Sequence, residues 1–307
     1  MSPGHVQDRA STHLWEEEMT RASTELLREL WPLINGEKWS EPPFTRTKAY
    51  VCAVLSELTY WHIPRWELKN RERIKVVPSG TYQELAESAV AEDALVRRLR
   101  EIDFAAFVIA RPRAVVLVLR ATSVVFVAIR GTAELYDWSI NLQVPRVPAG
   151  PPSACFHAGF FHAIEDCFED LSKHLAQFAR ELPIYVTGHS LGGAMAAILH
   201  AIWSPSSPFI CTHSAYTYGM PRYANQAAAN AFRPPHHILR ERDIVPRVPP
   251  RWLGYANPRT EYDVRGSPKI RSESIDLGSF ATWTANLVTA TAVRDHFIEG
   301  YRQEVKP

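Results

Sequence analysis

One short stretch, PIYVTGHSLGGAMAA at residues 183–197, restricts the fold more than any other part of the sequence. The β-branched and aromatic residues before its Gly-His-Ser-Leu-Gly pentad favour a buried strand, and the small apolar residues after it favour a helix. A serine between two glycines at such a junction is typical of a sharp turn in which the backbone approaches itself too closely for side chains. The pattern predicts that Ser190 presents its hydroxyl above the edge of a sheet.

The rest of the chain alternates between strand and helix patterns. Helical periodicity is found at 11–30, 46–61, 81–100, 160–181, 191–203 and 224–232, and strand-like runs at 114–120, 124–131, 184–187, 210–218 and 236–239. The residues Ala121, Thr122 and Ser123 between the first two of these runs predict a tight hairpin. The alternation predicts an α/β fold with a mostly parallel central sheet flanked by helices.

Composition and charge narrow the classes of function. Hydrophobic residues make up 46% of the chain and charged residues 22%, which is typical of an ordinary globular protein. The net charge of +1 argues against nucleic acid as a partner. Apolar runs are too short for a transmembrane segment, and residues 1–20 lack the core of a secretory signal. We expect a cytoplasmic chain by default, or a secreted one if the numbering starts at a mature form.

The four cysteines, Cys52, Cys155, Cys167 and Cys211, have neither the spacing of metal ligands nor the density of a disulfide scaffold. Buried free thiols are the default interpretation. A bridge between Cys155 and Cys167 is an alternative that the spacing does not favour.

A serine hydroxyl needs a base to accept its proton and an acid to orient that base. In enzymes with this kind of turn the acid and then the histidine follow the serine along the chain. Asp243 lies 53 positions after Ser190 (243 − 190), at the end of the strand-like HHILRERD. His296 lies another 53 positions on (296 − 243) and is the one histidine of twelve beyond Asp243.

Other acids and one other histidine compete for these roles. Glu261, Asp263 and Asp276 also lie between the serine and the last histidine, but each is in or beside a strand-like segment where a solvated carboxylate is expected. His189 adjoins the serine and faces elsewhere on the turn, which favours a packing or hydrogen-bonding role over base catalysis.

Several separated motifs occur in a fixed order. They are VAIRGT at 127–132, HAGFFHA at 157–163, VTGHSLGGAMAAI at 186–198, TYGMPRYAN and RERDIVPRVPP between 217 and 250, and DH at 295–296. With these motifs the chain resembles the class 3 lipases, the fungal-type triacylglycerol lipase family of the α/β-hydrolase superfamily. The resemblance covers residues 124–301, and AVLSELTYW at 53–61 resembles the family's N-terminal helix more weakly.

The resemblance implies an α/β-hydrolase fold and a set of catalytic roles. Ser190 would be the nucleophile, Asp243 the orienting acid and His296 the general acid and base, which is the set that chain order selects. Thr132 would form the oxyanion hole through its N–H and hydroxyl, with the Leu191 N–H as second donor; the alternative is that Thr132 merely ends a strand. We expect one domain over residues 1–307, with a mainly helical lead-in at 1–110 and the catalytic sheet core at 111–307.

The resemblance also implies a lid over the acyl pocket at residues 133–145, AELYDWSINLQVP. Its apolar residues are spaced so that one helical face would be apolar, and a buried static helix face is the alternative. These lid and substrate-binding residues are Leu135, Tyr136, Trp138, Ile140 and Leu142.

Three positions depart from the family's usual residues: Asn141 replaces an aspartate, Arg240 an asparagine and Ala224 a glycine. The expected function is a serine carboxylic-ester hydrolase, a lipase that cleaves acylglycerols through an acyl-enzyme, without a metal or organic cofactor. Its partner would be an ester lipid at a lipid–water interface. The alternatives are an esterase for soluble or aromatic (feruloyl-type) esters, a phospholipase, and an inactive hydrolase domain that binds lipid or protein.

Overall fold

A computed structural model describes residues 25–26, 28–61, 105–111, 113–130, 145–179, 181–203, 210–269 and 295–307. The helices are α1 (Arg46–Trp61), α2 (Ala158–Glu165), α3 (Phe168–Ala179), α4 (Leu191–Ile202), α5 (Gln226–Ala231) and α6 (Ile298–Val305). The strands are β1 (Ala105–Arg111), β2 (Ala114–Arg120), β3 (Val125–Arg130), β4 (Arg146–Pro148), β5 (Cys155–His157), β6 (Ile184–His189), β7 (Ser214–Tyr218), β8 (His236–Leu239) and β9 (Glu261–Asp263). Residues 28–36 are also helical, and 3₁₀ turns cover Val245–Arg247 and Arg251–Leu253.

The main sheet has seven strands in the order β1-β2-β3-β6-β7-β8-β9. The first three strands pair antiparallel, and every pairing from β3 to β9 is parallel. The pair β4-β5 is separate from this sheet. The predicted α/β fold with a mostly parallel sheet is therefore confirmed, and so is the hairpin between β2 and β3.

Alternate residues of the strands pack into two hydrophobic layers, one on each face of the sheet. Val116 and Val118 belong to the layer that contains residues of α2, α3 and α4. Leu117 and Leu119, which alternate with them, belong to the layer that contains residues of α1 and α6. Burial on both faces explains why these strands are continuous apolar runs without polar alternation.

Several predicted boundaries differ from the structure. The sheet begins at Ala105, ahead of the predicted boundary at 110/111, because β1 is a short apolar run that periodicity alone does not separate from a helix. The helix predicted at 160–181 is two helices, α2 and α3, separated by a turn at Asp166 and Cys167. The pentad strand reaches His189, whereas the strand predicted from 210 begins at Ser214.

The helix predicted at 81–100 and most of the helix predicted at 11–30 lie outside the described residues. The described part of the second helix continues to residue 36. That residues 1–307 form a single domain stays a prediction. All four cysteines are free thiols, but Cys211 is exposed and Cys155 is only half-buried, so the expectation of buried thiols holds for Cys52 and Cys167 alone.

Two histidines away from the pentad are buried in their neutral form. Burial lowers the pKa of His157 and of His200 to about 3. The Nδ1 atom of His157 accepts a hydrogen bond from the Phe160 N–H, and Nδ1 of His200 is 2.7 Å from the hydroxyl of Thr212. An unfolded histidine takes up a proton below its ordinary pKa of about 6.5, so acid favours the unfolded chain at both sites.

We expect the His200→Asn variant to lose less stability in acid than the wild-type protein. The His200 contribution is fully present above pH 6.5 and is lost as the pH falls toward 3, about 1.4 kcal/mol per pH unit. Between pH 6.5 and 4.5 the unfolding free energies of the two proteins should therefore converge by about 2 kcal/mol. Urea titrations at both pH values measure this difference.

The His162→Gln variant provides the control, because this histidine is exposed and its pair with the equally exposed Glu165 contributes little to stability. Burial raises the pKa of Glu57 to about 7, so its protonation increases the free energy of unfolding as the pH falls over this range. This contribution is opposite in sign to that of His200 and is the same in all three proteins. Parallel curves for wild type and the His200→Asn variant would contradict the prediction.

Candidate active site

Ser190 lies on a strained turn between β6 and α4. Its backbone has φ 57° and ψ −129°, a left-handed value that costs a non-glycine residue about 1–3 kcal/mol. The Ser190 N–H donates to the Tyr218 carbonyl at 2.9 Å, and the Ser190 carbonyl accepts from the N–H of Gly193 at 3.0 Å. These bonds attach the turn to the neighbouring strand β7 and to the first turn of the helix.

Two glycines, Gly188 of the pentad and Gly193 directly after it, are explained by close contacts at this turn. A Cβ atom at Gly188 would lie 2.4 Å from the carbonyl carbon and oxygen of Gly192. A Cβ atom at Gly193 would lie 2.8 Å from the Cβ atom of Met220 and 2.9 Å from the Gly188 oxygen. The turn therefore closes only when side chains are absent at these positions, as the pattern predicts.

The helix α4 begins directly after the serine with Leu191. Its first N–H groups and the positive end of its dipole lie beside Ser190, where an oxyanion would develop. We expected the serine to be open to solvent, but it is buried, with 2% of its surface exposed. The reason is that it follows the central strand β6, which lies between β3 and β7.

Asp243 and His296 form a buried hydrogen-bonded pair. The Nδ1 atom of His296 is 2.8 Å from Oδ2 of Asp243. The other carboxylate oxygen, Oδ1, accepts from the Val245 N–H at 2.9 Å, and the Tyr301 hydroxyl donates to Oδ2 at 2.6 Å. Asp243 lies in the loop after β8 and not at a strand end, since the strand stops at Leu239. Chain order had selected both members of this pair.

The pair defines which nitrogen of His296 is free. Because Nδ1 donates its proton to a carboxylate, Nε2 carries the lone pair of the neutral ring. Nε2 of His296 and Oγ of Ser190 are both buried, and neither has a hydrogen-bond partner within the described chain. Their mutual hydrogen bond is thus not formed in this structure, and such bonds often tighten when substrate binds.

His189 has the hydrogen-bonding role that its place in the turn predicts. Burial and the nearby charge of His296 lower the pKa of His189 well below its ordinary value, so its ring is neutral. Its Nε2 atom is 2.6 Å from the His296 carbonyl, and the two rings lie 4.5 Å apart. The neutral ring therefore donates from Nε2 to the His296 carbonyl, and the Tyr60 hydroxyl is 3.3 Å both from the remaining acceptor Nδ1 and from the His189 carbonyl.

Two tyrosines of this network were not found from the sequence. Tyr60 belongs to the AVLSELTYW segment, whose resemblance to the family was a usable signal. Tyr301 had no such signal. Burial, together with the charge and hydrogen bond of Asp243, raises the pKa of Tyr301 well above its ordinary value, so its hydroxyl stays protonated and donates.

The competing acids have other partners. Asp263 accepts from the backbone N–H groups of Arg265 and Ser267, each at 2.9 Å, and so closes a turn. Glu261 is buried, with Oε1 3.4 Å from Nδ1 of His237, so the expectation of a solvated carboxylate is wrong for it. Asp276 lies outside the described residues.

Part of the predicted site lies outside the described residues: Thr132, Asn141 and the lid residues Leu135, Tyr136, Trp138, Ile140 and Leu142. Their roles stay predictions. Within the described ranges, His, Cys, Asp and Glu side chains form no group of three or more that could hold a metal ion. The helices of those same ranges are too short or too polar to cross a membrane.

Several known proteins are similar to this chain. The model of the family described as lipase (class 3) matches residues 126–252. Secreted mono- and diacylglycerol lipase 1 of Fusarium solani is 30% identical over 173 residues, 53% of this chain and 51% of the relative. A Rhizomucor miehei lipase is 29% identical over 186 residues, 56% and 50% of the two chains. Phospholipase A1-II 1 of Oryza sativa subsp. indica is 33% identical over 190 residues, which cover 52% of this chain and 47% of the relative.

The chain thus spans about half the length of the curated relatives it matches. Among solved structures, a lipase from Rhizopus microsporus var. chinensis superposes with a TM-score of 0.53 at 20% identity, covering 81% of this chain and 84% of that one. At this identity the superposition supports the fold alone. The family match says more: residues 126–252, which include the turn at Ser190 and Asp243, match the class 3 lipase family.

Proposed function

We propose that this protein is a serine carboxylic-ester hydrolase that cleaves acylglycerols. The observation that supports this most strongly is the buried Asp243–His296 pair. The Nε2 atom of His296 has no hydrogen-bond partner among the described residues, and the His296 carbonyl is 2.6 Å from His189, the residue before Ser190. A serine hydroxyl, a histidine with a free Nε2 atom and a buried carboxylate are the groups that acyl transfer requires.

In the proposed reaction, Oγ of Ser190 attacks the ester carbonyl carbon while its proton passes to Nε2 of His296. The N–H of Leu191, with the N–H and hydroxyl of Thr132, would stabilise the oxyanion. The tetrahedral intermediate collapses as His296 protonates the leaving alcohol, which leaves an acyl-enzyme. A water molecule, deprotonated by His296, then attacks the acyl carbon, and the acid is released as Ser190 recovers its proton.

Two exposed aromatic side chains favour a substrate at a lipid–water interface. Trp252 is 60% exposed and Phe297 is 54% exposed, and they are the large hydrophobic residues exposed within the described chain. Trp252 lies in the loop that follows Asp243, and Phe297 directly follows His296. Amphipathic aromatic rings are enriched where one side contacts an apolar phase, so these two exposed rings are candidates for contact with lipid. The proposed lid at 133–145 would open on the same lipid surface.

We expect that the Trp252→Ser and Phe297→Ser variants lose activity on lipid emulsions but keep activity on soluble esters. Each ring that enters a lipid surface contributes on the order of 1–2 kcal/mol, so each variant should bind the emulsion about tenfold more weakly. The measurement compares emulsified tributyrin with dissolved p-nitrophenyl acetate, which serves as the internal control. Equal losses on both substrates would instead indicate damage to the reactive site.

A substrate series tests the proposed function itself. Specific activity on a triglyceride should rise when its concentration passes the solubility limit, whereas smooth saturation with short-chain esters would favour an esterase. One relative is a phospholipase A1, so phosphatidylcholine vesicles belong in the series, with released fatty acid as the readout. Labelling of Ser190 by a fluorophosphonate excludes the inactive, purely binding alternative. Failure to hydrolyse any of these esters would refute the proposal.

A further inference from the structure

Arg240 lies three positions before the orienting acid Asp243. It directly follows the last residue of β8, Leu239, so its backbone is held at the end of the sheet. Its side chain is 19% exposed and points to the C-terminal segment that contains His296.

The guanidinium of Arg240 makes three kinds of contact with that segment. Its Nη1 atom donates to the Asp295 carbonyl at 2.8 Å, and Nη2 is 3.7 Å from Oδ1 of the same residue. Nε donates to Oε1 of Glu304 at 2.8 Å, and Nη2 is equally close to that oxygen. The guanidinium also lies 5.8 Å from the centre of the Tyr301 ring.

The backbone of Arg240 contacts the same segment through a second path. Its N–H donates to the Tyr301 hydroxyl at 3.2 Å, and that hydroxyl donates to Oδ2 of Asp243. Because Oδ2 also accepts from His296, the tyrosine links Arg240 to the reactive pair.

The bond to the Asp295 carbonyl is the contact that matters most for geometry. That carbonyl belongs to the peptide group whose nitrogen is the backbone N of His296, so a fixed carbonyl fixes the position from which the imidazole projects. The His296 carbonyl is held on the other side by His189 at 2.6 Å. Both peptide groups that flank the histidine therefore have a side-chain partner.

The ion pair with Glu304 cannot account for the arrangement. Glu304 is 41% exposed, and exposed ion pairs of this kind contribute little to stability. The contacts with Asp295 and Tyr301 are instead partly or fully buried and lie next to the reactive pair.

We propose that Arg240 is a positioning residue that aligns His296 with Asp243, an inference that rests on the proposed function. Its side chain would act through the Asp295 carbonyl without touching substrate, whereas the bond of its backbone N–H to the Tyr301 hydroxyl persists in every side-chain variant. Small displacements of a general base from its reactive geometry reduce turnover strongly. We therefore expect loss of the Arg240 side chain to lower kcat and to leave KM nearly unchanged.

The test compares four proteins on a soluble ester. Arg240→Ala should reduce kcat about 10- to 100-fold with KM within twofold, and added guanidinium ion should restore part of the loss. Arg240→Lys should be intermediate, because an ammonium cannot make both contacts of the guanidinium. Glu304→Gln, which removes only the exposed ion pair, should stay within twofold of the wild-type protein.

Gly300→Ala gives a matched test that keeps the charge. An added Cβ atom there would lie 2.5 Å from Nη1 of Arg240, so the guanidinium must move away, while alanine favours the helix α6. A lower kcat with an unchanged or higher melting temperature would separate positioning from stability. An unchanged kcat in both Gly300→Ala and Arg240→Ala would overturn the proposal.

A spectroscopic readout keeps the test independent of the ester chosen. The Nδ1 proton of His296, bonded to Asp243, should give a downfield proton resonance in the wild-type protein and in Glu304→Gln, and weaken by exchange in Arg240→Ala. If the protein hydrolyses no ester but shows this loss, the positioning role stands and the proposed function fails. If the resonance is equally strong in Arg240→Ala and Arg240→Lys, the positioning role fails.

Discussion

Replacement of Ser190 by alanine is expected to reduce ester hydrolysis about a million-fold, the scale seen when the nucleophile of such a triad is removed. Alanine deletes the Oγ atom that would attack the carbonyl, whereas the oxyanion donors and the pocket persist. The turn should also persist, because alanine occupies the same left-handed backbone conformation at a similar cost, and the Ser190 backbone bonds do not involve the hydroxyl. Initial rates on p-nitrophenyl butyrate, with circular dichroism to verify folding, measure the loss.

Ser172→Ala is the matched control. Ser172 lies in α3, and its buried hydroxyl has no hydrogen-bond partner among the described residues, so its removal should change neither rate nor stability noticeably. Fluorophosphonate should label the wild-type protein and Ser172→Ala but not Ser190→Ala. Hydrolysis by Ser190→Ala at the wild-type rate would show that another group is the nucleophile.

The second large effect is expected for Asp243→Asn, with kcat about ten-thousandfold lower. An amide NH₂ in the place of Oδ2 donates to Nδ1 of His296, which moves the ring proton to Nε2 and removes the lone pair that must accept the serine proton. The Val245 N–H can still bond to the remaining oxygen, so the loop should keep its conformation. The effect is therefore chemical, and KM should change little.

Asp263→Asn controls for the loss of a carboxylate in the same part of the chain. Asp263 closes a turn with Arg265 and Ser267, so its replacement should alter thermal stability slightly and leave kcat within twofold. Steady-state kinetics on the soluble ester, with melting temperatures for both variants, separates the two roles. A large loss of kcat in Asp263→Asn with little in Asp243→Asn would reverse the assignment of the acid.

The strand, turn and helix at Ser190 could be predicted from the sequence because their causes are local. Periodicity, β-branched residues and the steric demand of Gly188 and Gly193 all act within a dozen positions. Asp243 and His296 were also selected, since chain order leaves few alternatives once the turn is identified. Boundaries were less accurate where the signal is short, as in β1, or where periodicity continues across a turn, as between α2 and α3.

The residues that surround the reactive pair could not be predicted in the same way. Tyr60 and His189 are 129 positions apart, and Arg240 and Asp295 are 55 apart. Nothing in the local pattern of either segment indicates the other. Their hydrogen bonds form because α1 and α6 pack on one face of the sheet, which brings their side chains to the end of β6 and β8.

By itself, the sequence therefore determined the turn, the fold class and the order of the reactive residues, because backbone sterics and apolar periodicity are properties of neighbouring positions. Only the tertiary structure decided which groups meet and how they are protonated. The neutral His189 and the donating Tyr301 hydroxyl depend on burial, and burial is produced by segments that are distant along the chain. The role proposed for Arg240 has the same origin, since its partners all come from the C-terminal segment.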